Sequence, residues 1–230
     1  AQSGPMAWSS SALMFTGGSQ FAFIGVIAGG GTGGAAWAAA TLLGIRNGIY
    51  GMQLSCGTHR DVIPFFVRPQ VGKPQAKVCY LASTFTYQVY SNFSRGMFDD
   101  AFRKRVADWK AYPHNPDDHR DYGLSTYNHH RDGSGVAYSS RLRPLLTWRP
   151  NFLSFNDEAG SGLRHLPADT HLTGWLDRMG VAFDVVTDHD LDEKGVEILN
   201  SYKVVLTGSH PEYQTEGTLD ALQAYTESGG

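Results

Sequence analysis

Three near-continuous apolar runs, residues 76–82, 181–187 and 203–207, fix what most of this chain can become. A strand that is apolar at every position must be covered on both faces, which is the condition of a parallel sheet between helices. Helical patterns separate and follow the runs. Phe98, Phe102, Val106 and Trp109 recur at near-helical spacing, Asp190 and Glu193 form a capping pair for a helix toward Leu199, and Leu219, Leu222 and Tyr225 share a face ahead of Gly229. Another helix, capped by Asp169 or Thr170 and striped by Leu172, Trp175, Leu176 and Met179, stops at Gly180. The first strand runs out into residues 83–90, placing tyrosines past its carboxyl end. The pattern predicts an α/β, doubly wound parallel sheet over residues 76–230. Three strands leave such a sheet incomplete, as in a piece of a longer protein.

Upstream the character changes. Residues 1–45 carry no charged side chain, and charge becomes dense from Arg46 onward. Residues 46–69 alternate as two strands about a turn at Cys56-Gly57-Thr58, the remnant of a β-sandwich domain, and residues 70–75, rich in Pro and Gly, form a linker. Within the uncharged segment, residues 21–28 read as a strand and 35–43 as a helix. Gly29, Gly31 and Gly34 between them fit the glycine pattern of a dinucleotide turn, but no acidic residue follows at the distance that would hold a ribose. The apolar runs are split by glycines and lack a basic flank, so neither a membrane span nor a signal peptide is expected.

A net charge of −3 without basic runs gives no footprint for nucleic acid. Two cysteines, Cys56 and Cys79, lack zinc or disulfide spacing and point to a reducing, cytoplasmic setting. Cys79 lies mid-strand without the glycines of a nucleophile elbow, and no G-x-S-x-G is present, so covalent acyl chemistry is unsupported. The aperiodic stretch 112–149 is too long for a simple connection, and its aromatics argue for order. Histidines at 114, 119, 129, 130, 165 and 171 fit no metal-site spacing and read as solvated loop residues. The hard donors are more informative: Tyr87 and Tyr90 after the first strand, Tyr122 and Tyr127 in the connection, and Glu212 after the third, where His210 and Tyr213 flank it as further polar groups. In open α/β sheets ligands bind beyond the carboxyl ends of the strands, and phenolate with carboxylate oxygen favours a small, highly charged cation such as ferric iron.

The runs AKVCYLASTFTY (76–87), YPHNPDDHRDYGLSTYN (112–128), SGLRHLPADTHLTGWL (161–176) and LTGSHPEY (206–213) resemble the large subunit of N,N-dimethylformamidase, over about residues 48–230. The resemblance implies a β-rich portion followed by a class I glutamine amidotransferase-like (flavodoxin-like) α/β domain. It implies a small formamide substrate and a small helical partner subunit in a hetero-oligomer. It also implies mononuclear non-haem iron on two tyrosines and a glutamate. Carried over, the H-P-E motif gives His210 and Glu212, and the tyrosine pair falls on Tyr87 and Tyr127, with Tyr90 and Tyr122 as neighbouring alternatives. Glu212 is then a metal ligand, His210 orients water beside it, and Tyr213 is structural. A non-catalytic module that kept the fold and lost the chemistry is the rival expectation.

Overall fold

A computed structural model describes residues 9–14, 24–26, 48–93, 96, 98–154 and 162–230. The glycine pattern at Gly29 to Gly34 and the helix expected at 35–43 lie outside these residues.

The expected hairpin is strand β3 (Gly48–Cys56) paired antiparallel with β4 (His59–Val67), turning at Gly57. It is not alone. Strands β1 (Ser9–Met14) and β2 (Ile24–Val26), both from the uncharged segment, extend it to a four-stranded sheet in the order β2-β1-β3-β4.

The three apolar runs form β5 (Val78–Ala82), β8 (Phe183–Thr187) and β9 (Val204–Thr207), a parallel sheet with β5 at its centre. Side chains alternate across β5. Cys79 and Leu81 pack with Val186, Leu191, Leu199 and Tyr225 on one face, while Tyr80 and Ala82 pack with Tyr87, Leu166 and Val185 on the other. That two-sided burial is why the run carries no alternation. Burial pushes the Cys79 thiol up to about 12, with Asp184 adding to it, which keeps the group inert. Ile49 of the hairpin joins the second face, so the two sheets share a core there. The minor pair β6 (Leu153–Ser154) and β7 (Gly162–Leu163) lies in the long connection.

Between β5 and β8 stand helices α1 (Thr84–Tyr90), α2 (Asp100–Asp108) and α3 (His165–Arg178); α4 (Asp188–Lys194) follows β8 and α5 (Glu216–Glu227) follows β9. Four details differ from expectation. Residues 84–90 are helical rather than a strand extension. Helix α3 begins at His165, so Asp169 is not its cap but a buried carboxylate inside it. The cap of α4 is Thr187, whose hydroxyl accepts from the Asp190 N–H while the Asp190 carboxylate accepts from the Thr187 N–H, a capping box one turn before the expected Asp190–Glu193 pair. Leu219 is 56% exposed, and Thr218, Ala221 and Tyr225 form the buried stripe of α5 instead. Thr187→Ala removes the cap and is expected to lower stability by about 1 kcal/mol in urea denaturation.

Candidate active site

Beyond the carboxyl ends of β5 and β9, three oxygens from three separate segments converge. The Tyr90 hydroxyl lies 2.8 Å from Glu212 Oε2 and 3.0 Å from the Tyr127 hydroxyl. Tyr127 in turn shares a short hydrogen bond with Tyr213. The Tyr90 and Tyr127 rings stack at 4.5 Å, and His165 stacks on Tyr90 at 4.6 Å. Burial, then the neighbouring Tyr127 and Glu212 oxygens, raise the Tyr90 phenol well above its ordinary value.

Of the residues expected at the site, Glu212 and Tyr127 are present and Tyr87 is not among them. Tyr87 is buried, and its hydroxyl is taken up by Asp169 and, at 3.0 Å, by Tyr80. On α1 the two tyrosines stand three residues apart, nearly on one face and about 4.5 Å apart along the axis; Tyr87 lies in the core, and Tyr90, nearer the end of the helix, reaches the crevice. Tyr122 lies apart, stacked on His119 at 4.8 Å. His210 is exposed on the Glu212 loop, its Nε2 3.5 Å from the Arg164 guanidinium and its ring 6.0 Å from His165.

Two residues of the cluster stand outside the roles read from sequence. Tyr213 touches Tyr127 directly, and that hydrogen bond, then desolvation, push its phenol up to about 12. His165 is buried rather than solvated and sits at φ 52, a left-handed backbone that few non-glycine residues adopt. Burial, then the charges of Arg164 and His210, lower its imidazole to about 4, so it is neutral at pH 7. No periodic pattern marks His165, which is found by proximity; Tyr213 stands in the stretch after the third strand, where the resemblance gives it a structural role.

A cavity of about 200 Å³ opens beside the cluster, walled by Tyr90, Tyr127 and His165 and by Phe93, Phe98, Phe102 and Phe152. A larger open groove of about 1210 Å³ runs along the hairpin and contains none of Tyr90, Tyr127 or Glu212. The smaller cavity is the one that adjoins the oxygens, and its size suits a molecule of few heavy atoms.

Among the described residues no group of three or more His, Cys, Asp or Glu could hold a metal; the donor set in question is two phenols, Tyr90 and Tyr127, with the Glu212 carboxylate. It fits a small cation. Adjacent donors around an octahedral ion with bonds of about 2.0–2.1 Å stand ~2.9 Å apart, close to the separations seen here. Among the same residues no helix is long and apolar enough to cross a membrane.

Residues 29–230 match the family described as N,N-dimethylformamidase beta subunit-like, C-terminal, and the chain belongs to that family. It is 42% identical over 197 residues to the N,N-dimethylformamidase beta subunit of Paracoccus aminophilus and 38% identical over 197 residues to that of an Alcaligenes species. Each match covers 81% of this chain and 24% of the relative, so the chain spans about a quarter of the length of these curated relatives.

Proposed function

We propose that this chain carries the metal centre of an amidohydrolase that cleaves N,N-dimethylformamide or a similar small formamide to formate and amine, with mononuclear iron held by Tyr90, Tyr127 and Glu212. The observation that carries the reading is the approach of both the Tyr127 hydroxyl, at 3.0 Å, and Glu212 Oε2, at 2.8 Å, to the Tyr90 hydroxyl at the carboxyl edge of the sheet. When bound, the ion supplies Lewis acidity toward the amide carbonyl and acidifies water.

The chain's own residues do the rest. The phenylalanines of the small cavity receive the N-methyl groups and exclude bulk water from that side. His210, two residues before Glu212 on the same loop, orients the attacking water and takes its proton at an imidazole nitrogen as the new C–O bond forms. The C–N bond then breaks, its electron pair staying with nitrogen, and His210 returns that proton to the departing amine.

The three-stranded parallel sheet supports assignment to a glutamine amidotransferase-like, doubly wound domain, and the relatives' designation as beta subunits supports a hetero-oligomer with a small helical subunit. Two unbridged thiols support a cytoplasmic setting. Glu212 and His210 are exposed, and the chain spans about a quarter of its relatives' length, so this reading includes further walls of the pocket from elsewhere in the assembly. We therefore expect iron near one equivalent, with visible phenolate absorption, both in this chain and in one extended beyond Gly230, and formate release from dimethylformamide in the extended one. Colourless, metal-free protein without turnover in either form would support a non-catalytic assembly module instead.

A further inference from the structure

Glu212 lies on an exposed loop between β9 and α5, where a carboxylate left to itself would sample many positions. Its backbone is pinned from below. The Glu212 and Tyr213 N–H groups both donate to Thr86 Oγ1, each at 3.0 Å, and the Ser209 N–H donates to Asp169 Oδ1 at 2.7 Å. Both acceptors are buried, Thr86 at 0% and Asp169 at 1% exposure. A hydroxyl oxygen has two lone pairs, and Thr86 uses them on two successive amides of the loop. Asp169 is itself fixed, its Oδ2 accepting from Tyr87 and, at 2.9 Å, from Tyr80. A Cβ at residue 208 would stand 2.1 Å from that same oxygen, so only glycine lets the chain pass over the carboxylate.

The anchors share a pattern. Thr86 stands four residues before Tyr90 on α1, and Asp169 four after His165 on α3, so each helix presents one buried anchor and, a turn away, one ring of the site. We propose that Thr86 and Asp169 are positioning residues, which hold the Gly208 to Tyr213 loop so that the Glu212 carboxylate meets Tyr90 and Tyr127 at metal-ligand spacing. This rests on reading Glu212 as a ligand. The alternative is that the same hydrogen bonds merely stabilise the fold.

The test compares Thr86→Val, which keeps the shape and removes the acceptor, with Thr86→Ser, which keeps the oxygen. Iron alone is titrated into the chelator-stripped protein while far-UV circular dichroism and amide hydrogen exchange are followed. Thr86→Val is expected to retain its helical signal, to exchange the Glu212 and Tyr213 amides faster, and to lose roughly 10–100-fold in iron affinity, as when partners of metal ligands are removed elsewhere. Thr86→Ser should restore both properties. Asp169→Asn, which sets an amide donor or a weaker acceptor against the phenols, should shift iron affinity in the same direction. Folded Thr86→Val protein with unchanged iron affinity overturns the proposal. If Thr86→Val does not fold, unchanged iron affinity in Asp169→Asn overturns it equally. Absence of iron binding by the unsubstituted protein, with loop exchange still accelerated in Thr86→Val, would overturn the metal reading instead.

Discussion

Glu212→Ala is expected to give a folded, colourless protein without iron. The carboxylate lies 2.8 Å from the Tyr90 hydroxyl, and its loop is held through backbone N–H groups, not by its own side chain. Removing it leaves two phenols to compete with water for the ion, and the loss should exceed the tenfold to hundredfold penalty of disturbing an outer partner. On the proposed reading several kcal/mol of Lewis-acid stabilisation goes with the ion, so formamide hydrolysis by the chain extended beyond Gly230 should fall by at least about 10³-fold. Tyr90→Phe should also strip iron and bleach the phenolate band. Tyr87→Phe should keep both, since that hydroxyl serves Asp169, and should instead reduce stability. Elemental analysis with visible spectra decides the matter, and iron retained in Tyr90→Phe but lost in Tyr87→Phe would reverse the ligand assignment.

The second large effect concerns the hold of the hairpin on the α/β unit. Arg149 reaches both oxygens of Asp61 on β4 at 2.8 Å each, with side-chain exposures of 5% and 30%, and Tyr112 adds a hydrogen bond of 3.1 Å. Burial by itself would raise the Asp61 carboxyl, but the Arg149 hydrogen bonds and charge, with the Val62 N–H and the Tyr112 hydroxyl, leave it below its usual 3.8. Asp61→Ala strands a buried guanidinium and is expected to cost about 3 kcal/mol in urea denaturation, the lower end for broken buried pairs because Asp61 is partly solvated. The sign with pH follows. The folded-state pKa is depressed, so the pair's stabilisation is full above 3.8 and is lost as pH falls through the lower folded value. In Asp61→Ala that acid-side decline should flatten; a loss under ~1 kcal/mol would place the pair with ordinary surface bridges.

The strands were legible because two-sided burial writes itself as unbroken hydrophobicity: residues 76–82, 181–187 and 203–207 contain the observed strands to within two residues. Helix α1 was not, because Thr84, Thr86 and Val89 are β-branched and Phe85, Tyr87 and Tyr90 aromatic, a composition that local preference assigns to strands and packing overrides here. The start of α3 was hidden for a related reason. Pro167 stands within its first turn, where a missing N–H costs nothing, and Asp169, which has the chemistry of a cap, spends its carboxylate on Tyr80, Tyr87 and the Ser209 amide. At the site, Glu212 and Tyr127 could be named from the resemblance, but choosing between Tyr87 and Tyr90 required knowing that residues 84–90 coil. A three-residue step on a helix turns toward a different surface than the same step on a strand.

The converging oxygens also bear on how the chain reaches its native state. Tyr90 meets Tyr127 across 37 residues and Glu212 across 122, while β5 pairs only with strands more than a hundred positions away. Such contacts close late, since the entropy of each long loop opposes folding before its contacts form. An ion bound to all three oxygens ties those loops shut at one point. On the proposed reading such an ion should slow unfolding and raise resistance to proteolysis as its free concentration rises, and would serve as a clasp of the fold as well as a centre for chemistry.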